Sequence, residues 1–369
     1  MAVTAGLPAY PWDSLTAAAE LAAAHPGGIV DLSVGTPVDP VPEIVQAALR
    51  AAGNSPGYPA TAGSAALRAA AAGWLARRHG VRVEPAAVLP VIGTKEFIAW
   101  LPTLLGAGPG DVVVHPELAY PTYDAGARLA GATPVAADGL VALGPSRVRL
   151  VWLNSPSNPT GKVLPPEHLG KVVGWARDRG AVLASDECYI DLGWKDHPIS
   201  ILHPDVCAGS HAGLLGVYSL SKRSNMAGYR AGFVAGDPGL IAKLLEIRKH
   251  AGMMTPGPVQ AAATAALTDD THADQQRARY AARRARLWPA LESAGWVIEE
   301  SAAGLYLWAT HSRLDGWASV QRLAEEGILV APGTFYGPRG DRHIRVALTA
   351  TDERIDAAVS RLAGVAAAA

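Results

Sequence analysis

From residue 88 onward, short apolar runs alternate mostly with helix-length segments: Val88 to Ile92, Val112 to His115, Leu150 to Leu153, Val182 to Ser185, Leu214 to Tyr218 and Ala231 to Ala235. That alternation is the mark of an α/β domain with a mostly parallel sheet flanked by helices. The last two runs are joined by too few residues for a full crossover helix, so one strand there is predicted to run antiparallel. Polar residues recur just after the strand ends, where ligands bind in such sheets. Beyond about residue 265 the pattern changes. A long charged helix, about Thr271 to Ala294, leads to the apolar runs Trp296 to Ile298, Tyr306 to Trp308 and His343 to Val346, with a helix from Trp317 to Glu326 between them. This predicts a smaller α+β domain. The expected division is a large domain over residues 35–265 and a small domain formed by residues 1–34 and 266–369.

Ahead of the repeating region, residues 13 to 25 read as a short helix with Asp13 or Ser14 as N-cap, ended by Pro26-Gly27-Gly28. A strand-like stretch, Ile29 to Val34, precedes Gly35-Thr36-Pro37. A glycine-rich polar patch, Gly53 to Pro59, separates it from a helix spanning about Ser64 to His79.

Hydrophobic residues make up 49% of the 369 and charged ones 18%, enough apolar material for a substantial core. The formal net charge of -1 argues against a sequence-independent grip on nucleic acid or anionic membrane. The basic run Arg277 to Arg286 is spaced like a solvated helix face. Two cysteines, Cys188 and Cys207, form neither a disulfide framework nor a zinc ligand set, so no metal is expected and a reducing compartment is. No signal-peptide pattern is evident, and no apolar run reaches the roughly 18 to 20 residues of a membrane helix. The expected location is the cytoplasm.

The chemistry is concentrated in Tyr218-Ser219-Leu220-Ser221-Lys222-Arg223, with Arg230 eight residues after Lys222. Lysine is scarce here and arginine plentiful, and only an amine can lose its proton and form a Schiff base with a carbonyl. The neighbouring hydroxyls and Arg230 suit a phosphate. Together they point to pyridoxal phosphate. Ser219 and Lys222 also fit the Ser-x-x-Lys signature of penicillin-type acyl hydrolases. Those enzymes need Ser-Asp-Asn and Lys-Thr-Gly as well, and neither occurs here.

Other strand ends offer further candidates, each with a structural alternative. Gly93-Thr94-Lys95-Glu96 sits where a strand hands over to a helix, a place for an anion or an ordinary turn. Tyr120 follows a strand end and could stack on a flat ring or pack in the core. Asn158 projects from a turn fixed by Pro156 and Pro159. Asp186, at another strand end, needs a partner such as a protonated ring nitrogen, unless it or Glu187 caps the next helix. Arg345, inside the apolar Ile344-Arg345-Val346-Ala347, needs a planar anion or a buried ion pair.

In this order the series Asn158-Pro159-Thr160-Gly161, Asp186-Glu187-Cys188-Tyr189, Ser219-Leu220-Ser221-Lys222 with Arg230, and Arg345 resembles the class I/II aminotransferases of fold type I. The likeness covers essentially the whole chain from Gly35. It implies pyridoxal 5′-phosphate as cofactor, with Lys222 carrying it and moving the substrate proton, and Asp186 holding the ring nitrogen protonated. By the same resemblance, Asn158 and Tyr189 bond the ring hydroxyl and Tyr120 stacks on the ring. Ser219, Ser221 and Arg230, with the Thr94 and Lys95 amides, take the phosphate. Tyr58 reaches the phosphate of a neighbouring subunit, which implies a homodimer with shared sites. Arg345, aided by the Gly35 backbone and Asn158, clamps the substrate carboxylate, and amino- and keto-acid substrates react in two half-reactions.

The segments Val91 to Ile98, Pro116 to Pro121 and Ser221 to Arg230 look most like those of N-succinyldiaminopimelate aminotransferases, which serve lysine and diaminopimelate biosynthesis with glutamate as amino donor. Lys95, Arg223 and a partner's Arg50 are the cations to expect for the distal carboxylate. The rivals are transfer to other amino acids (N-acetyl-diaminopimelate, aspartate, alanine or aromatic), a β-lyase on the same fold, and a cofactor-sensing regulator. The last needs an N-terminal winged-helix domain, and the segment before Gly35 is too short to hold one.

Overall fold

The computed structural model describes residues 6–139, 147–195 and 197–367. Seven strands form the central sheet: β1 (Val88–Val91), β2 (Val112–His115), β3 (Thr133–Ala136), β4 (Val148–Asn154), β5 (Val182–Asp186), β6 (Leu214–Ser219) and β7 (Gly232–Gly236). Their spatial order is β1-β7-β6-β5-β4-β2-β3. All neighbours from β6 to β3 pair in parallel, whereas β7 runs antiparallel to both β6 and β1. The link between β6 and β7 holds only the turns Leu220–Arg223 and Ala227–Tyr229, so the chain must double back.

Side-chain alternation divides the apolar strands between two cores, one on each face of the sheet. Val113, Leu150, Trp152, Ala184 and Val217 pack on one side, and Val114, Val151, Leu153, Leu183 and Tyr218 on the other. Strand β3 has no counterpart among the predicted runs. Its Thr-Pro-Val-Ala sequence lies on the sheet edge with every side chain partly or fully exposed, so no buried apolar signal marks it.

A separate antiparallel sheet follows, built from β8 (Trp296–Glu299), β9 (Tyr306–His311), β10 (Ala331–Pro332) and β11 (His343–Ala347) in the order β10-β11-β9-β8. The helices Thr271–Ser293, Gly316–Glu325 and Asp352–Ala367 complete this unit. Leu15, Ala18, Val30 and Leu32 share its core with Leu287, Leu307 and Ile355.

Three readings need correction. The strand Ile29 to Val34 shrinks to Val30–Asp31, paired in parallel with Ile328–Leu329, because Asp31 Oδ1 accepts bonds from the Ser33 amide (2.8 Å) and hydroxyl (2.6 Å) and turns the chain. The first helix is a 3-10 turn, Pro11–Leu15, running into an α-helix, Thr16–Ala23. Neither Asp13 nor Ser14 caps it: Pro11 starts the turn, and the Ser14 hydroxyl donates back to the Pro11 carbonyl at 2.7 Å. The basic run is not one solvated face. Arg283 is buried and bonded to Asp39 and Asp352, while Arg277 and Arg284 are half-buried against the Gly193 and Ser301 carbonyls.

Among the described residues, no helix is long and apolar enough to cross a membrane, and no group of three or more His, Cys, Asp or Glu could hold a metal ion.

Candidate active site

A cavity of about 600 Å³ opens at the carboxyl ends of β4, β5 and β6 and extends to Tyr10, Trp12 and strand β11. The structure brings Gly35, Thr94, Lys95, Tyr120, Asn158, Asp186, Tyr189, Ser219, Ser221, Lys222, Arg230 and Arg345 into its lining. Tyr58 lies apart from it and is 99% exposed.

Lys222 stands on the turn Leu220–Arg223, which Ser219 caps by accepting the Ser221 amide at 3.1 Å. Its Nζ donates to the Gly35 carbonyl. Burial pulls the ammonium down to about 8, the charges of Arg345 and Arg230 add to the shift, and Cys188 opposes it. An amine so placed is neutral for part of the time near physiological pH. Gly35 has a steric reason to lack a side chain, since a Cβ there would lie 2.1 Å from the Tyr306 hydroxyl.

Asp186 ends β5 and is buried, which raises its carboxyl above the usual range. The Tyr123 hydroxyl donates to its Oδ2 at 2.9 Å and the Cys188 amide to its Oδ1 at 3.2 Å. It caps no helix, nor does Glu187, whose Oε1 accepts the Ile201 amide at 2.7 Å. Asn154, at the end of β4, ties the two neighbouring strand ends together. Its Nδ2 donates to the Asp186 and Pro156 carbonyls, and its Oδ1 accepts the Asn158 amide at 2.7 Å. The Ser155-Pro156 and Asn158-Pro159 bonds are both cis.

One end of the cavity is built for an anion. The helix Thr94–Leu104 begins at Gly93 with no side chain capping its first amides. Ser219, Ser221 and Arg230 face the same space. Gly93 adopts φ 77°, and a Cβ there would lie 2.3 Å from the Arg230 guanidinium, so glycine lets that cation close onto the helix start.

At the other end Arg345 is 2% exposed. It donates to Asn158 Oδ1 at 2.9 Å and the Ser33 carbonyl at 2.6 Å, and its Nε has no partner. Its guanidinium lies 3.9 Å from the Tyr306 ring centre and 4.8 Å from that of Tyr336. Among the described residues no carboxylate pairs with it. A buried cation with only neutral neighbours is costly unless an anion joins it.

Several residues in or behind this cavity carry no local sequence signal of a functional role. Tyr306 bonds Tyr189, hydroxyl to hydroxyl, at 3.0 Å and backs Arg345. Tyr123 holds Asp186, and Tyr10 and Trp12 wall the mouth. Aromatics in apolar segments look like core, so only the unmet need of buried Asp186 for a donor could have pointed to Tyr123. Lys95 does project into the mouth, its Nζ 5.2 Å from the Tyr10 ring centre and 5.9 Å from that of Tyr120. Arg223 does not. It turns away from the cavity and is buried against Asp191 at 2.7 Å, which removes it as a substrate cation. Arg50 is exposed and ion-paired with Glu43.

Residues 28–362 match the family model for aminotransferase class I and II. The chain belongs to this family. The aminotransferase is 64% identical to a probable aminotransferase of Mycobacterium tuberculosis over 98% of its own length and 86% of the relative's. It is 58% identical to the 4-dedimethylamino-4-oxo-anhydrotetracycline transaminase OxyQ of Streptomyces rimosus, over 96% of this chain and 99% of that one. The structure of a probable N-succinyldiaminopimelate aminotransferase from Thermus thermophilus superposes with a TM-score of 0.84 at 30% identity, covering 96% of this chain and 100% of the other. Aminotransferases of this family use pyridoxal 5′-phosphate and act on amino and keto acids.

Proposed function

We propose that this aminotransferase moves an amino group between glutamate and a keto acid with a distal anionic arm, of the N-succinyl-diaminopimelate type, in the cytoplasm and as a homodimer. The observation that carries the substrate reading is the pair of cations at opposite ends of the substrate space. Arg345 is buried with no carboxylate partner among the described residues, and Lys95 reaches the mouth between Tyr10 and Tyr120. Arg345 takes the α-carboxylate, for which its planar fork is suited, with Asn158 and the Gly35 backbone beside it. Lys95 takes the distal carboxylate.

The residues fit pyridoxal phosphate by the chemistry of their donors. Arg230, Ser219, Ser221 and the Thr94 and Lys95 amides suit the phosphate. Tyr120 suits a ring face, and buried Asp186 suits a protonated ring nitrogen. Asn158 and Tyr189 suit the ring hydroxyl. Bound there, the cofactor supplies the electron sink for the pair left when the substrate Cα–H bond breaks. Lys222 holds the cofactor and carries the proton from Cα; its lowered affinity for protons suits a group that must take one up and return it. Exposed Tyr58 serves the partner's phosphate site, which accounts for its lack of any contact with the cavity of its own subunit.

A second reading has its own support. The Streptomyces relative acts on an anhydrotetracycline and is 58% identical, while the Thermus structure is 30% identical. The aromatic mouth of Tyr10 and Trp12 would also accept a polycyclic ketone. The test is single-turnover transfer from the glutamate-aminated enzyme to a panel of acceptors: N-succinyl-2-amino-6-oxopimelate, its N-acetyl analogue, pyruvate, an aromatic keto acid and a polycyclic ketone. The first should react fastest, and Lys95→Met should narrow its lead. If it reacts no faster than pyruvate, the substrate assignment fails while membership of the family stands.

A further inference from the structure

The side of the Lys222 turn that faces away from the cavity is as ordered as the side that faces it. Arg223 is 4% exposed and uses two of its three guanidinium nitrogens. Nε donates to Asp191 Oδ2 at 2.7 Å, and NH1 donates to the Ala266 carbonyl at 2.9 Å and to the Ser224 hydroxyl at 3.3 Å. The guanidinium lies 5.3 Å from the Trp74 ring centre. Asp191 also meets His79 Nε2 at 3.2 Å, with Arg78 at 3.9 Å. Ser224, fully buried, bonds His272 at 2.8 Å, and Asp269 holds the other ring nitrogen of that histidine at 2.7 Å. Asp270, 3.7 Å from Arg223, closes the ring of charges around the pair.

The connectivity gives this cluster its meaning. Arg223 immediately follows Lys222, and Asp191 lies two residues after Tyr189. Leu192 donates to the Tyr189 carbonyl at 2.8 Å, closing the turn that carries the phenol. A single buried ion pair therefore joins the turn that presents the amine to the turn that presents the phenol. Neither side chain reaches the cavity.

We infer that the Arg223–Asp191 pair is a positioning device for the reaction, fixing Lys222 and Tyr189 relative to each other from behind the site. This rests on Lys222 being the amine that holds the cofactor. Errors of about an ångström in such a placement cost up to about a hundredfold in rate, so the pair matters for catalysis beyond its effect on stability. The arrangement also explains why arginine follows the lysine: only a planar fork meets the carboxylate, the Ala266 carbonyl and the Ser224 hydroxyl at once.

The experiment compares Arg223→Ala, Arg223→Lys, Asp191→Asn and the apolar double variant Arg223→Met/Asp191→Leu, all as cofactor-loaded enzyme. Three readouts are needed: melting temperature, the kcat and KM for glutamate, and the pH at which the bound cofactor's absorbance titrates. Replacing a buried ion pair by apolar residues of similar volume is often neutral for stability, so the double variant separates fold from function. The expected result is a near-normal melting temperature for the double variant, with kcat down about tenfold or more, KM little changed, and the absorbance titration displaced by about half a unit or more. Arg223→Lys should recover part of kcat. A double variant with wild-type kcat and titration would show the pair to be structural only and overturn the inference. Loss of the absorbance band in all variants, with the fold intact, would do the same. A different result, Lys222→Ala retaining the wild-type band, would instead strike at the assignment of Lys222 itself.

Discussion

The two sides of the Lys222 turn treat positive charge in opposite ways. Toward the cavity, Lys222, Arg230, Arg345 and Lys95 have no ion-paired carboxylate among the described residues, and Arg345 is nevertheless buried. Behind it Arg223 is matched with Asp191, and buried arginines elsewhere are matched too, Arg283 with Asp39 and Asp352 and Arg248 with Glu96. Both sides bear the cost of taking cations out of water, but only the rear compensates it internally. The contrast marks the front as the place where anions arrive. It also separates cations left open to an arriving anion from those already held by carboxylates of the fold.

That separation can be broken in steps. The largest effect belongs to Lys222→Ala, which should lower turnover by about 10⁴-fold and remove the absorbance of the Lys222-bound cofactor, with the melting temperature nearly unchanged. Next, Arg345→Met should cost about a hundredfold in kcat/KM, since a charged hydrogen-bonding contact made with the substrate is lost; steady-state kinetics with glutamate checks this. Arg283→Met should do the reverse, costing about 3 kcal/mol of stability in denaturant titrations by leaving half-buried Asp39 without its cation, while kcat of the folded fraction holds. Lys95→Met should raise KM about fivefold for acceptors with a distal carboxylate and leave pyruvate unaffected.

The remaining effect is a pH dependence. Burial lowers the Lys222 ammonium from 10.5 to about 8, so between those values the unfolded chain binds more protons than the folded one. In cofactor-free enzyme this group's contribution to stability should therefore rise with pH from about 8 to 10.5 and be missing below that window. Lys222→Met should flatten the rise in melting curves taken across the window.

How much of this was legible depended on whether a residue's surroundings were themselves written in the local sequence. Most inner strands carry Val and Leu in dense runs and are found where those runs predict. Edge strand β3 lacks that density and leaves no trace. Arg345 stood out because an arginine interrupts an apolar strand, and Lys222 because an amine follows a strand end between two serines. Tyr306 and Tyr123 did not, since an aromatic that supports a charged group reads like one that fills a core. Arg223 was misassigned for a geometric reason. Adjacent residues on a helical turn point in different directions, so the neighbour of a lysine that faces the cavity turns toward the protein instead.

The most direct measurement traps the bond between cofactor and enzyme. Borohydride reduction of the loaded enzyme, followed by proteolysis and mass spectrometry, should place the reduced cofactor on the peptide bearing Lys222 and on no other lysine. Recovery of that peptide unmodified, with the cofactor on Lys95 or released intact, would contradict the assignment of Lys222.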